Sequence, residues 1–342
     1  MRNGLPESWH SGAVAAVTPE GRLVASLGDP EVATFLRSAA KPFQCLPLLL
    51  AGGEARFGLD AADIALTCAS HGGTPAHVRR AGDLLARGGF GIGDLLCGAH
   101  PPMDAESARR LVLAGAEPTP LHNNCSGKHA GMLLACRLLG LPTKGYIAPD
   151  HPLQRRALDH TARFCGVAPE SIGLATDGCS VPTYHLSLAA AARGYAALAH
   201  PEAAGLDGEV AAAVRRVVAA MTGAPEVVAG PGRFTTRLME ATGGRVLGKE
   251  GAEGFYGVAV RGPVALGIAV KIADGGERCR DGVVLDVLRQ LGSLSGAEFE
   301  TLAPFYRPRL VNWAGLPAGE VRPDLELEEA ELEEAELEEE EV

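Results

Sequence analysis

Five of the 342 residues are lysine, against 26 arginines. An amine can lose its proton and act as a base, whereas a guanidinium stays charged. In a chain that otherwise prefers arginine, each lysine is therefore a candidate for chemistry. One lies in Arg37-Ser38-Ala39-Ala40-Lys41, where Ser-x-x-Lys opening a helix sets a hydroxyl and an amine one turn apart on the same face. That is a nucleophile beside its base. Four more segments are dense in small and reactive residues: Ser70-His71-Gly72-Gly73, the run His122 to Gly131, Thr176 to Ser180, and Gly248-Lys249-Glu250-Gly251-Ala252-Glu253-Gly254. Loops this rich in glycine let backbone N–H groups approach a ligand closely. Cys125 and Cys179, joined by one of His122, His129 or Asp177, would make a thiolate-based metal site.

The elements that position these segments are readable from periodicity and turn chemistry. Residues 11–27 read as a hairpin around Thr18-Pro19-Glu20-Gly21. Helices are expected over 38–50, from Asp60 to Cys68, from Thr74-Pro75 onward, and over 104–113, 127–139, 152–164, 183–198, 207–221, 233–241 and 281–291. Strands are expected at 171–176, 245–248, 254–260 and 264–272, the last two forming a hairpin across Arg261-Gly262-Pro263. Strands thus gather at the chain ends with helix between. The pattern predicts an α+β fold: an antiparallel sheet built from N- and C-terminal segments, with a helical insertion.

The net charge of -11 is concentrated at the C-terminus, where residues 324–342 carry 12 acids and no base. The remainder holds 31 positive and 30 negative charges, and no basic stripe points to a nucleic-acid face. The leucines of the tail, at 327, 332 and 337, form no helical stripe, so 324–342 reads as a disordered acidic appendage to a single catalytic domain over 1–323. No apolar run approaches the ~20 residues that span a bilayer. The N-terminus lacks a signal peptide's apolar core, and eight scattered cysteines suit reduced thiols, so a cytoplasmic protein is expected. Cys45, Cys68, Cys97, Cys136, Cys165 and Cys279 are expected to fill core positions.

Taken together, the five segments resemble the class 3, rhizobial-type L-asparaginases, the thermolabile asparaginase II family. The likeness runs from Glu7 and His10-Ser11-Gly12 through Leu139 to Tyr146, Asp150 to Gln154 and Ala229 to Phe234, ending at Val311-Asn312-Trp313-Ala314-Gly315. The resemblance implies a fold like that of serine β-lactamases and penicillin-binding proteins, a homodimer, and hydrolysis of L-asparagine by two Ser–Lys pairs. Ser38 and Lys41 match the first pair; Ser70 and Lys249 match the second, with Lys271 a rival for the second lysine. It also implies one zinc ion held by Cys125, Lys128 and Cys179, with Asp177 supporting a ligand or water and the metal aiding substrate binding.

For Lys41 to act as a base, burial and nearby cations must lower its pKa; Arg37, Lys249 and Lys128 are the candidates. Asparagine hydrolysis further needs fixed charges for the α-amino and α-carboxylate groups. Arg37 is the candidate carboxylate contact, Glu253 and Asp274 are candidate ammonium contacts, and His71 and Gly72 would line the pocket. The serine expected to attack is Ser38, with Ser70 relaying a proton. A β-lactamase-like hydrolase is the rival enzyme, but its Ser-x-Asn and Lys-Thr-Gly motifs are absent. A non-catalytic zinc-stabilised binding protein would keep Cys125 and Cys179 without needing Ser38 and Lys41. Glutamine differs from asparagine by one methylene, worth only ~1–3 kcal/mol in a pocket.

Overall fold

Gly12–Val17 (β1) and Leu23–Leu27 (β2) form an antiparallel hairpin in register at Ala16 and Ala25. In the computed structural model, which describes residues 1–330, this hairpin pairs with the C-terminal part of the chain. The remaining strands are Ala33–Phe35 (β3), Gly173–Thr176 (β4), Pro182–Ser187 (β5), Val246–Glu250 (β6), Phe255–Val260 (β7), Leu266–Ile272 (β8), Arg309–Val311 (β9), Pro317–Glu320 (β10) and Glu328–Glu329 (β11). The main sheet runs β11-β2-β1-β8-β7-β6, antiparallel throughout. A smaller antiparallel sheet runs β3-β5-β4. The protein is thus a mixture of helices and antiparallel sheets.

Alternation along the strands divides the apolar residues between the two faces of the main sheet. Ala13, Ala15, Ala259 and Ala269 pack into the larger core, with the central helices. Val14, Val258, Val270 and Ile272 pack with Leu285 and Leu288 of Arg280–Gln290 and Leu302 of Gly296–Tyr306. The helix Leu188–Ala199 lies across β1, β7 and β8 at very short range. A Cβ at Gly267 would sit 2.0 Å from the carbonyl oxygen of Ala192, so only glycine fits there.

Three expectations are corrected. The helix expected over 183–198 begins only at Leu188, because Pro182–Ser187 pairs as a strand with both β3 and β4. Its Thr183-Tyr184-His185-Leu186 stretch has the β-branched and aromatic residues that suit a pleated surface. The segment 38–50 is not one helix but a 3-10 turn, Arg37–Ala40, followed by Lys41–Gln44 and Leu46–Leu50. Pro42 and Pro47 each lack the N–H that a continuous helix would use. The acidic tail is ordered at its start: Glu328 and Glu329 pair with Ser26 and Ala25, and Gln290 binds the backbone at Leu325 and Leu327. The rest of that tail, 331–342, lies outside the described residues. Among the described residues no helix is long and apolar enough to cross a membrane.

Candidate active site

The Ser-x-x-Lys turn is fixed from three directions. Leu36 N–H donates to the Tyr184 carbonyl of β5 at 3.0 Å, and Arg37 N–H donates to Thr183 Oγ1 at 3.2 Å. From the sheet-spanning helix, Tyr195 Oη donates to the Ala39 carbonyl at 2.7 Å. Arg37 has φ +49°, a left-handed conformation that L side chains rarely adopt. Such backbone costs of order 1–3 kcal/mol and persists where the surroundings enforce it. Arg37 itself is enforced by Asp177, which accepts from its Nε at 2.6 Å. Its Nη groups have no hydrogen-bond partner among the described residues.

Lys41 is fully buried. Its Nζ donates to the Ala69 carbonyl at 2.6 Å and to Ser70 Oγ at 2.9 Å. Lys249, on β6 and also buried, donates to the same Ser70 Oγ at 2.8 Å and to the Glu250 carbonyl at 2.9 Å. Ser70 therefore sits between two lysine amines, an arrangement that pairing Ser38 with Lys41 alone does not describe. The Lys41 backbone N–H donates to the Ser38 carbonyl, but no hydrogen bond joins the two side chains among the described residues. The Lys41 side chain runs from its short helix toward the Ala69-Ser70 backbone, so its amine meets the second serine. Ser38 stays half-exposed and Ser70 is buried.

Burial pushes the Lys249 amine down to about 7, helped by the charges of Lys41 and Arg233 and opposed by Glu250 and Cys125. Lys271 is elsewhere. It donates to the Glu253 carbonyl and lines a separate cavity of about 540 Å³ between the N-terminal segment and Arg280–Gln290. Neither Ser38, Ser70 nor Lys249 borders that cavity. Asp274 lies nearby on His10 at 2.8 Å, so Glu253 and Asp274 stand with Lys271, apart from Ser70.

The 70–73 loop is held by its own backbone. Ser70 N–H donates to Val228 O and His71 N–H to Asn124 O, while Gly72 O accepts from Asp104 N–H. His71 is buried against His77, with ring centroids 4.8 Å apart. Its Nδ1 accepts from Gly73 N–H, which leaves Nε2 to donate to Ser126 Oγ at 3.0 Å. Burial, with the charges of His77 and Lys41, pushes the imidazole well below its ordinary pKa. His71 is thus a neutral tie between this loop and the start of the helix Ser126–Leu139.

That helix start carries the thiol cluster. Cys125 Sγ, Cys179 Sγ and an Asp177 carboxylate oxygen all lie within 4.8 Å of one another. Lys128 Nζ donates to Cys179 Sγ at 2.9 Å, and Cys179 Sγ donates to Asp177 Oδ2 at 3.2 Å. The hydrogen bond from Cys179 holds Cys125 well below the ordinary thiol value, against burial and with help from Lys41 and Lys128. The neighbouring Cys125, with burial, pushes Cys179 up. Burial alone would lower Lys128, but Cys179, Cys125 and Asp177 hold its ammonium above the usual value. Asp177 is down at about 2, because Lys128, Arg37 and Cys179 outweigh its burial. His122 and His129 are engaged elsewhere, with Thr119 and with Tyr146. Two thiols and a carboxylate at this spacing are a donor set of the kind that suits zinc, with the Lys128 amine beside Cys179. The other six cysteines are buried free thiols.

Two residues that the sequence reading quoted within its segments but gave no role, Arg233 and Glu250, complete the surroundings. Arg233 Nη1 donates to the Ser70 carbonyl at 3.3 Å, and its Nη2 lies 2.7 Å from Glu250, the residue after Lys249.

A family model described as L-asparaginase II matches residues 1–323. The chain belongs to the L-asparaginase II family. Its members are amidohydrolases, and the whole of the site above falls within the matched residues. The comparison with curated proteins gave no match. Among solved structures, Mglu in its native form is 16% identical with a TM-score of 0.45, covering 83% of this chain and 64% of that one. Mglu in its tris and glutamate form is 17% identical with a TM-score of 0.45, covering 82% and 59%. The chain thus spans less than two thirds of the length of these Mglu chains.

Proposed function

We propose that the protein hydrolyses L-asparagine to L-aspartate and ammonia through a serine ester, on a fold of the serine β-lactamase type. Ser70 Oγ held between the amines of Lys41 and Lys249 carries this reading. With its pKa near 7, Lys249 is substantially neutral and able to take the Ser70 proton. Ser70 then takes one from Lys41, which frees Lys41 to accept the proton of Ser38, one turn earlier. Ser38 is the assigned nucleophile because it is the half-exposed serine, whereas Ser70 is buried. The Ser38–Lys41 hydrogen bond forms when substrate arrives, as catalytic contacts often do.

Ser38 Oγ bonds to the carboxamide carbon, the C–N bond breaks, and the relay returns a proton so that ammonia leaves. Water then attacks the ester, its proton entering the same relay, and aspartate departs. The Nη groups of Arg37 hold the α-carboxylate, with the guanidinium oriented by Asp177. Gly72 and His71 line the pocket. Cys125, Cys179 and Lys128 would hold zinc, with Asp177 beside them; when bound, the ion supplies a fixed positive charge that supports substrate binding. Lys128 must shed its proton to serve. Residues 1–323 act as one catalytic unit.

The test is ammonia release from L-asparagine and L-glutamine by wild type, Ser38→Ala and Ser70→Ala, with the acyl adduct mapped by peptide mass spectrometry. An aspartyl adduct on the Ser38 peptide is expected. An adduct on Ser70 reverses the assignment of the serines. Folded, zinc-loaded wild type inert on both amides removes the reading.

A further inference from the structure

Arg233 touches both halves of the lysine–serine relay. It stands at the N-cap of the helix Phe234–Ala241 without a side-chain capping bond, its guanidinium turned toward Ser70. Nη1 donates to the Ser70 carbonyl at 3.3 Å and the Ala229 carbonyl at 3.5 Å; Nη2 reaches Glu250 Oε1 at 2.7 Å and Oε2 at 2.8 Å. Glu250 is buried, and its own carbonyl accepts from Lys249 Nζ. A second arginine, Arg280, buried against the Tyr256 ring, lies 3.7 Å from Glu250 Oε2. Two guanidiniums therefore clamp the carboxylate of the residue that follows Lys249, and one of them also grips the Ser70 backbone.

We propose that Arg233 is a positioning residue that couples Ser70 to Lys249 through Glu250, and that it masks the Glu250 charge from the Lys249 amine. The inference rests on the relay described above. Its geometric half follows from the contacts: without Arg233, nothing described links the Ser70 carbonyl to the β6 strand that carries Lys249. The electrostatic half follows from the groups that face Lys249. Lys41, from the turn region, and Arg233, from its helix cap, oppose its protonation; Glu250, on its own strand, and Cys125, before Ser126–Leu139, favour it. Beyond Glu250 stand Arg280, Asp281 and Glu277, paired among themselves. Removing Arg233 takes away a repelling cation and unmasks an anion. Both changes favour the ammonium form.

The chain's five lysines make a direct measurement practical. Lysine labelled with 13C at Cε gives five resonances, and Lys249→Met identifies the one that matters. The titration is followed in wild type, Arg233→Gln, Glu250→Gln and the double variant at fixed zinc loading. Arg233→Gln is expected to raise the Lys249 midpoint by about one pH unit, and Glu250→Gln to lower it by a similar amount. The double variant should return close to wild type. The acidic limb of the kcat/KM profile for asparagine should move in parallel, with Arg233→Lys restoring it in part. Arg237→Gln, an exposed arginine on the same helix, should move neither. An unmoved midpoint in both single variants overturns the proposal, even if kcat falls, because a merely structural arginine would lower kcat at every pH. Glu250→Gln carries the test alone if Arg233→Gln does not fold. A wild type without amidase activity leaves the NMR shifts readable, so the two failures are distinct.

Discussion

Replacing Lys249 with methionine should abolish turnover and make the protein more stable, and both effects come from one buried amine. An ordinary lysine, titrating near 10.4, would be neutral in only about one molecule in 3,000 at pH 7. Burial lowers Lys249 to about 7, so roughly half the molecules hold a neutral amine there. That is a gain on the order of 10³ in the basic form. The same shift lowers stability. The unfolded chain binds a proton that the folded chain refuses between about pH 7 and 10.5, so stability rises with pH across that window. At pH 7 the loss relative to an unshifted lysine amounts to about 4 kcal/mol. Methionine fills similar space without a charge to desolvate. It forfeits two hydrogen bonds, to Ser70 and Glu250, worth about 1 kcal/mol each. The net expectation is a variant about 2 kcal/mol more stable than wild type at pH 7, with the advantage gone by pH 10. Urea denaturation at the two pH values measures this, and ammonia release should fall by at least ~10². A variant less stable at pH 7, or an advantage that does not depend on pH, would refute the reasoning.

Other perturbations test the scaffold and the thiol cluster. Tyr195→Phe leaves the Ala39 carbonyl without its hydroxyl donor; it should cost about 1–3 kcal/mol in urea unfolding and lower kcat, since the turn holding Ser38 loses an anchor. Gly267→Ala forces a methyl to within 2.0 Å of Ala192 O; thermal unfolding should show several degrees of destabilisation or no folded protein, and a wild-type melting temperature would contradict the packing. Cys125→Ala should eliminate stoichiometric zinc in elemental analysis, whereas Cys97→Ala, a buried thiol outside the cluster, should retain it. Retention of one tightly bound zinc by Cys125→Ala would exclude the cluster as its site.

The sequence made local relations legible and left convergent ones hidden. Spacing places Ser38 and Lys41 on one face, but it cannot say that the Lys41 amine runs to a serine 29 positions later. That contact depends on how the short proline-led helices pack against the Ala69-Ser70 backbone. Arg233 and Glu250 carry no spacing signature at all; their meeting requires the cap of one helix to abut a strand whose neighbours come from other parts of the chain. The helix Gly296–Tyr306 was not among the expected ones, although Ser295 and Glu298 form a reciprocal capping box whose spacing marks a helix start. The strand Pro182–Ser187 was obscured by the alanine-rich helix after it, whose strong propensity spread backward over five residues, 183–187, that tertiary pairing claims as sheet.

Pairing of Glu328-Glu329 with β2 gives the main sheet an outermost strand of two acids, although the chain by then has left its matched family region at residue 323. Without it, β2 would present a row of unpaired backbone donors and acceptors along Leu23-Val24-Ala25-Ser26-Leu27. Such an apolar edge is a template for pairing with another chain, and acidic residues on an edge strand are a common guard against it. The beginning of the acidic tail therefore serves colloidal behaviour as well as local order. A chain cut after residue 323 keeps every residue of the candidate site, yet it gains an open edge on which molecules can stack.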